Sequence, residues 1–75
     1  MFSKDVFGER LLEIRKKNRE TQEQLGEAIG LVKSRISDME RGKLTTTVEK
    51  IVLICEHYQV SANYLLGLSD DPTLK

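Results

Sequence analysis

Apolar residues in this chain recur three and four positions apart, in short runs opened by a capping residue and closed by a glycine or a polar turn. That spacing is the period of an α-helix, and no stretch alternates as a half-buried strand would. Phe7, Leu11 and Ile14 form one stripe and predict a first helix from Lys4 to Lys17, capped by Ser3 or Asp5. Asn18 and Arg19 end it, Asn18 being suited to a left-handed turn. Thr21 caps a short second helix, Gln22 to Ile29, in which Thr21-Gln22-Glu23-Gln24 reads as a capping box and Leu25 and Ile29 face inward. Gly30 breaks the chain and Leu31 sits in the turn. A third helix from Lys33 to Arg41 buries Ile36 and Met39 and stops at Gly42. Thr46 and Thr47 precede a fourth helix reaching Tyr58, with Val48, Ile51, Ile54, Cys55 and Tyr58 inward. Ser61 caps a last short helix that carries Leu65 and Leu66 and ends at Gly67. The expected fold is all-α, five short helices over residues 1–68, followed by a frayed polar tail over 69–75 that contains Pro72.

Composition narrows the function. Seventy-five residues, 39% of them hydrophobic, suffice for one small core and therefore one domain. A charged fraction of 32% with a single proline excludes a collagen-like or pervasively disordered chain. No apolar run approaches the roughly 18 residues of a membrane span. The opening MFSKDVFGER lacks the apolar stretch of a signal peptide, so a cytoplasmic domain without membrane contact is expected. One cysteine, Cys55, rules out an internal disulfide and a CxxC metal framework. Cys55 and His57 lie two apart on a helix and face opposite ways, so they cannot share a metal. Cys55 is expected to be a buried, inert thiol, and His57 a surface residue without an acidic partner. No glycine-rich phosphate loop occurs, and neither an enzyme nor a cofactor is expected. Net charge is zero, but its distribution is uneven: the first 20 residues carry an excess of two positive charges and the last 30 an excess of two negative.

The segment from Gln22 to Met39 is more specific. Two short helices that cross steeply need a small residue at their contact, which Gly26 supplies, and Gly30 permits a tight turn between them. The spacing is that of a helix-turn-helix, whose second helix enters the DNA major groove; any helical hairpin in a small bundle would also satisfy it. At about 100° per residue, Ser34, Asp38 and Arg41 fall opposite the Ile36–Met39 side of the third helix. Ser37 and Arg35 flank that outward face, and Lys33 projects from the helix start. Around it Lys33, Arg35, Arg41 and Lys43 outnumber Asp38 and Glu40.

TQEQLGEAIGLVKSRISDMERGK, preceded by FGERLLEIRKKN and followed by VSANYLLG, resembles the lambda-repressor-like (Cro/cI-type, XRE) family over Phe7 to Gly67. The matching features come in order: Arg15 in the first helix, Thr21-Gln22-Glu23 opening the second, Ile36-Ser37 in the third, then Glu40-Arg41-Gly42-Lys43 and Val60-Ser61. The resemblance implies that the start of the third helix reads bases, which by position points to Lys33, Ser34, Ser37 and Asp38. Lys33 suits guanine O6 and N7, and Asp38 suits cytosine N4. Gln22, with Thr21 beside it, matches the family glutamine that contacts the DNA backbone. Arg35, Arg41 and Lys43 complete the DNA-contacting set, the last two suited to phosphates. Arg15 and Glu40 are expected to form a buried ion pair, as the matching residues do in relatives. The chain departs from the family at Val32, where Ser or Thr is usual, and at Glu20, where leucine is common. It departs again at Arg19, often glycine or asparagine, and at Thr46, often proline. Val32 cannot cap the third helix or donate to a phosphate.

Relatives commonly dimerise around the fifth helix, so Tyr64 and Leu68, with Leu53 as a further contributor, are the expected dimer contacts. The resulting expectation is a sequence-specific transcriptional regulator of repressor type, a homodimer on palindromic double-stranded operator DNA. One short recognition helix reads too few base pairs alone, and two half-sites about one helical turn apart mirror a two-fold axis. The competing expectation is an antitoxin or adaptor that uses the same fold to hold a protein partner; neutral net charge and Val32 point that way.

Overall fold

A computed structural model of the chain describes residues 1–74. Five helices follow one another: α1 (Lys4–Lys17), α2 (Gln22–Ile29), α3 (Lys33–Glu40), α4 (Val48–Tyr58) and α5 (Ala62–Leu65). Each begins where the sequence offers a cap. Ser3 accepts from the Val6 amide at 3.2 Å, and Thr47 from the Lys50 amide at 3.3 Å. Thr21 and Gln24 close both arms of the capping box, at 3.1 and 2.8 Å. Only α3 starts without a side-chain cap: Val32 is extended at φ −74° and accepts nothing. Its first-turn amides therefore stay open to solvent or to an anion.

One core joins all five helices. Phe7, Leu11 and Ile14 of α1 meet Leu25 and Ile29 of α2, Ile36 and Met39 of α3, Ile54, Cys55 and Tyr58 of α4, and Leu65 of α5. These are the residues that helical periodicity places inward, with one exception. Val48 is 74% exposed. It is the first residue of α4, and Ile51, one turn further on, is where the stripe reaches the core.

Two chain reversals also differ from expectation. Asn18 keeps an ordinary φ of −91° because its amide turns back to donate to the Ile14 carbonyl at 2.8 Å. The left-handed residue is Arg19, at φ +56°. A side chain with a Cβ costs roughly 1–2 kcal/mol in that conformation, which explains why glycine or asparagine suits this position better. The tail is not frayed over the described residues. Val60 and Thr73 pair as an antiparallel bridge, the Ser61 amide donates to the Pro72 carbonyl at 3.0 Å, and Arg10 of α1 donates to the Ser69 carbonyl at 2.6 Å. A polar segment is ordered here by hydrogen bonds, which apolar periodicity cannot foretell.

Close backbone approach explains two glycines inside helices. At Gly26 a Cβ would lie 2.3 Å from the Leu31 carbonyl oxygen, so the small residue serves the turn between α2 and α3 more than the crossing of their side chains. At Gly8 a Cβ would lie 2.5 and 2.7 Å from the carbonyl oxygens of Met39 and Glu40. α1 thus rests directly on the C-terminal end of α3. In an exposed helix interior, glycine to alanine stabilises by about 1 kcal/mol. Here the contact reverses the sign: Gly8→Ala should destabilise by about 1–3 kcal/mol, as overpacking does, read from urea unfolding midpoints. A stabilised variant would mean that α1 and α3 are not in backbone contact.

Candidate nucleic-acid interface

α3 is amphipathic in a way that leaves one face outward. Ile36, Met39 and Glu40 are buried, whereas Lys33, Ser34, Arg35 and Arg41 are exposed and Ser37 and Asp38 half-buried. Thr21, Gln22 and Lys33 line a shallow depression between the starts of α2 and α3. Arg35 lines a second one with Thr45, Thr46 and Thr47 of the loop that leads into α4. Lys43 is exposed beyond the end of α3. Three of these side chains are already engaged. Lys33 Nζ lies 3.8 Å from Glu23 Oε1, a loose pair between well-exposed groups that water screens strongly. Asp38 Oδ1 and Arg41 NH2 are 2.6 Å apart, one helical turn removed from each other. The Gln22 amide donates to Glu40 Oε1 at 2.9 Å, so its orientation is set from beneath.

That acceptor belongs to a buried pair. Arg15 of α1 meets Glu40 at the end of α3 with two parallel hydrogen bonds, Nε to Oε2 at 2.6 Å and NH2 to Oε1 at 3.0 Å. Its remaining NH1 donates to the Glu20 carbonyl at 2.7 Å. The side chains are 10% and 3% exposed. The hydrogen bond to Glu40 drives the Arg15 pKa up against the opposing effect of burial. One guanidinium thereby links α1, the loop before α2 and the end of α3, and through Gln22 the start of α2. The base of the presumptive reading head is built from three segments.

A helix-turn-helix family model matches residues 11–65, nearly three quarters of the chain. The chain belongs to the lambda-repressor-like helix-turn-helix family. Among similar structures is that of the P22 c2 repressor in complex with a synthetic operator, 31% identical, covering 85% of this chain and 97% of that one, with a TM-score of 0.80. The restriction-modification controller protein C.AhdI from Aeromonas hydrophila is 27% identical over 83% of this chain and 94% of its own, at a TM-score of 0.75. A relative by sequence is the HTH-type transcriptional regulator YobD of Bacillus subtilis, 39% identical over 70 residues. The match takes in 93% of this chain but 62% of YobD, so the chain spans less than two thirds of that relative. The family and these neighbours are DNA-binding regulators, not enzymes. No helix among the described residues is long and apolar enough to cross a membrane.

Against this family background the unusual Glu20 acquires a role. Its carboxylate receives the Tyr58 hydroxyl at 2.7 Å and contacts His57 Nε2 at 2.9 and 3.0 Å. The loop before α2 is thus tied to the C-terminal end of α4 by polar bonds where relatives use an apolar contact. His57 does have an acidic partner, contrary to expectation. Nothing in the sequence joins positions 20 and 57, since only the folded chain brings them together. Burial pushes the Glu20 carboxyl up, but the Tyr58 and His57 contacts outweigh it and hold the carboxyl below its ordinary value. Burial, then the bond to Glu20, push the Tyr58 phenol up. Sequence reading also missed Lys50, whose ammonium caps α2 by donating to the Ile29 carbonyl at 2.6 Å. In α5, Tyr64 is half-buried; the Arg10 guanidinium lies 4.2 Å above its ring and its hydroxyl donates to Glu13. Leu68 and Leu53 are 72% and 39% exposed. Burial pushes the Cys55 thiol up, away from the reactive thiolate.

Two measurements follow from these polar contacts. Glu40→Gln strands the buried Arg15 charge and should cost about 3–5 kcal/mol of unfolding free energy; an unchanged melting temperature would place the pair in solvent. Glu20, with its folded pKa depressed, contributes stability that is present above its unfolded value near 4.5 and fades as pH falls through the folded value. Glu20→Gln should therefore be less stable than the parent at neutral pH and lose less stability on acidification. Parallel acid limbs in urea titrations across that range would contradict this.

Proposed function

We propose that the chain is a sequence-specific DNA-binding transcriptional regulator of repressor type that works in the cytoplasm and places α3 in the major groove. The observation that carries this reading is the outward face of α3, which presents Lys33, Ser34 and Arg35 from a base locked by the buried Arg15–Glu40 pair. Lys33, Ser34, Ser37 and Asp38 are the base-reading set. Thr21, Gln22, Arg35, Arg41 and Lys43 are the backbone contacts. The uncapped amides at the start of α3 add a site that favours a phosphate. The likeness to the P22 c2 repressor, solved with operator bound, supports the same use of the fold.

The regulator acts as a homodimer on a palindromic operator, because α3 alone spans only a few base pairs and two-fold symmetry doubles the site. Leu68 and Leu53 supply exposed apolar surface for the contact. Tyr64, held by Arg10 and Glu13, forms its rigid edge rather than a free anchor. The small area makes the dimer weak in solution and tighter on DNA.

Fluorescence anisotropy against a duplex selected from a random pool, repeated at several salt concentrations, tests both parts. Affinity should fall steeply with salt as counterions are released. Lys33→Ala should cost about 1–3 kcal/mol and relax preference at one base pair, whereas Lys43→Ala should weaken all duplexes alike and lower the salt slope by about one. Binding of wild type should be cooperative, and Leu68→Asp should abolish the cooperativity. A chain that binds no duplex at any salt concentration is instead a protein-interaction module, the reading that Val32 and zero net charge favour.

A further inference from the structure

Asp38 is the only acidic side chain on the outward face of α3, since Glu40 is buried beneath it. A lone carboxylate there would repel the phosphates that the neighbouring cations attract. It is not alone. Arg41, the residue that closes α3, places its NH2 2.6 Å from Asp38 Oδ1, with the side chains 59% and 34% exposed. The local charge is cancelled, and the carboxylate is held in one orientation with its second oxygen left to accept.

A carboxylate can only accept hydrogen bonds. In the major groove guanine presents two acceptors, thymine an acceptor and a methyl group, and adenine a donor beside an acceptor. Cytosine alone presents a donor and no acceptor, its N4 amino group. We propose, building on the DNA-reading function above, that Asp38 and Arg41 act as a unit that reads one cytosine in each half-site. Asp38 accepts from N4 and rejects guanine and thymine by placing acceptor against acceptor. Arg41 is the positioning residue: it fixes the carboxylate and offsets its repulsion from the nearby phosphates. The pair adds selectivity more than affinity, because much of what Asp38 does is exclude wrong bases.

Selection of duplexes from a random pool, followed by anisotropy on the selected duplex and on versions with each other base at the position concerned, tests the assignment. Wild type should fix cytosine at one position per half-site and lose about 5- to 100-fold on any other base there. Asp38→Asn should move the preference to adenine, whose N6 and N7 suit a side-chain amide. Arg41→Gln should cost a larger factor in the wild-type background than in the Asp38→Asn background, because only the former leaves a carboxylate unshielded. Thermal melting of each variant checks that α3 still forms.

A selected site with no fixed cytosine, or an Asp38→Asn variant with unaltered preference, would overturn the assignment of Asp38. Equal losses for Arg41→Gln in the two backgrounds would make Arg41 a plain phosphate contact and remove its positioning role. Failure of wild type to bind any duplex is a different result, which refutes DNA reading itself.

Discussion

A guanidinium and a carboxylate withdrawn from water must satisfy one another or leave the structure, and Arg15 and Glu40 do so with two parallel bonds. Much else depends on that pair. Glu40 ends α3, so its position sets where the recognition helix stops and how it lies on α1. Gly8 lets the two backbones meet beside it, at a distance no Cβ would allow. Gln22 borrows the same carboxylate to fix its amide at the start of α2. The remaining guanidinium proton goes to the Glu20 carbonyl and holds the loop between α1 and α2. Orientation of the outward face is thus decided by buried polar geometry, which is directional, rather than by apolar packing, which is not.

Zero net charge and a DNA-binding face are compatible because many charges are consumed within the chain. Arg10 is taken up by Tyr64, Ser69 and Asp70 on the side of α5 and the tail. Arg15 and Glu40 cancel in the interior, and Glu20 is spent on His57 and Tyr58. Lys33, Arg35 and Lys43 remain exposed around α3. Total charge averages over these populations and so says little about the one surface that would meet phosphate.

The departures from the family pattern have different physical consequences. Val32 removes a cap and nothing in the chain replaces it. Glu20 replaces an apolar contact with a polar one, and the fold supplies two partners for it. Arg19 is forced into a left-handed turn that it tolerates at a cost. A substitution within a family is therefore read correctly only when its surroundings are known.

Helical period, caps and glycine stops were legible from the residues alone, because they depend on neighbours within about four positions along the chain. They determined five helices, the core apart from Val48, the capping box at Thr21 and the outward side of α3. The Arg15–Glu40 pairing was legible through family resemblance, not through spacing. Gly8 left a faint signal, a costly residue in mid-helix without apparent reason. Tertiary structure alone decided what required distant residues to meet: Glu20 with His57 and Tyr58, Lys50 on the end of α2, Arg10 on the tail, and Thr73 beside Val60. Those contacts are polar and join sites 13 to 59 positions apart. Hydrogen bonds and ion pairs leave no period in a sequence, because each needs one partner in one place, and only the packed core determines where that place is.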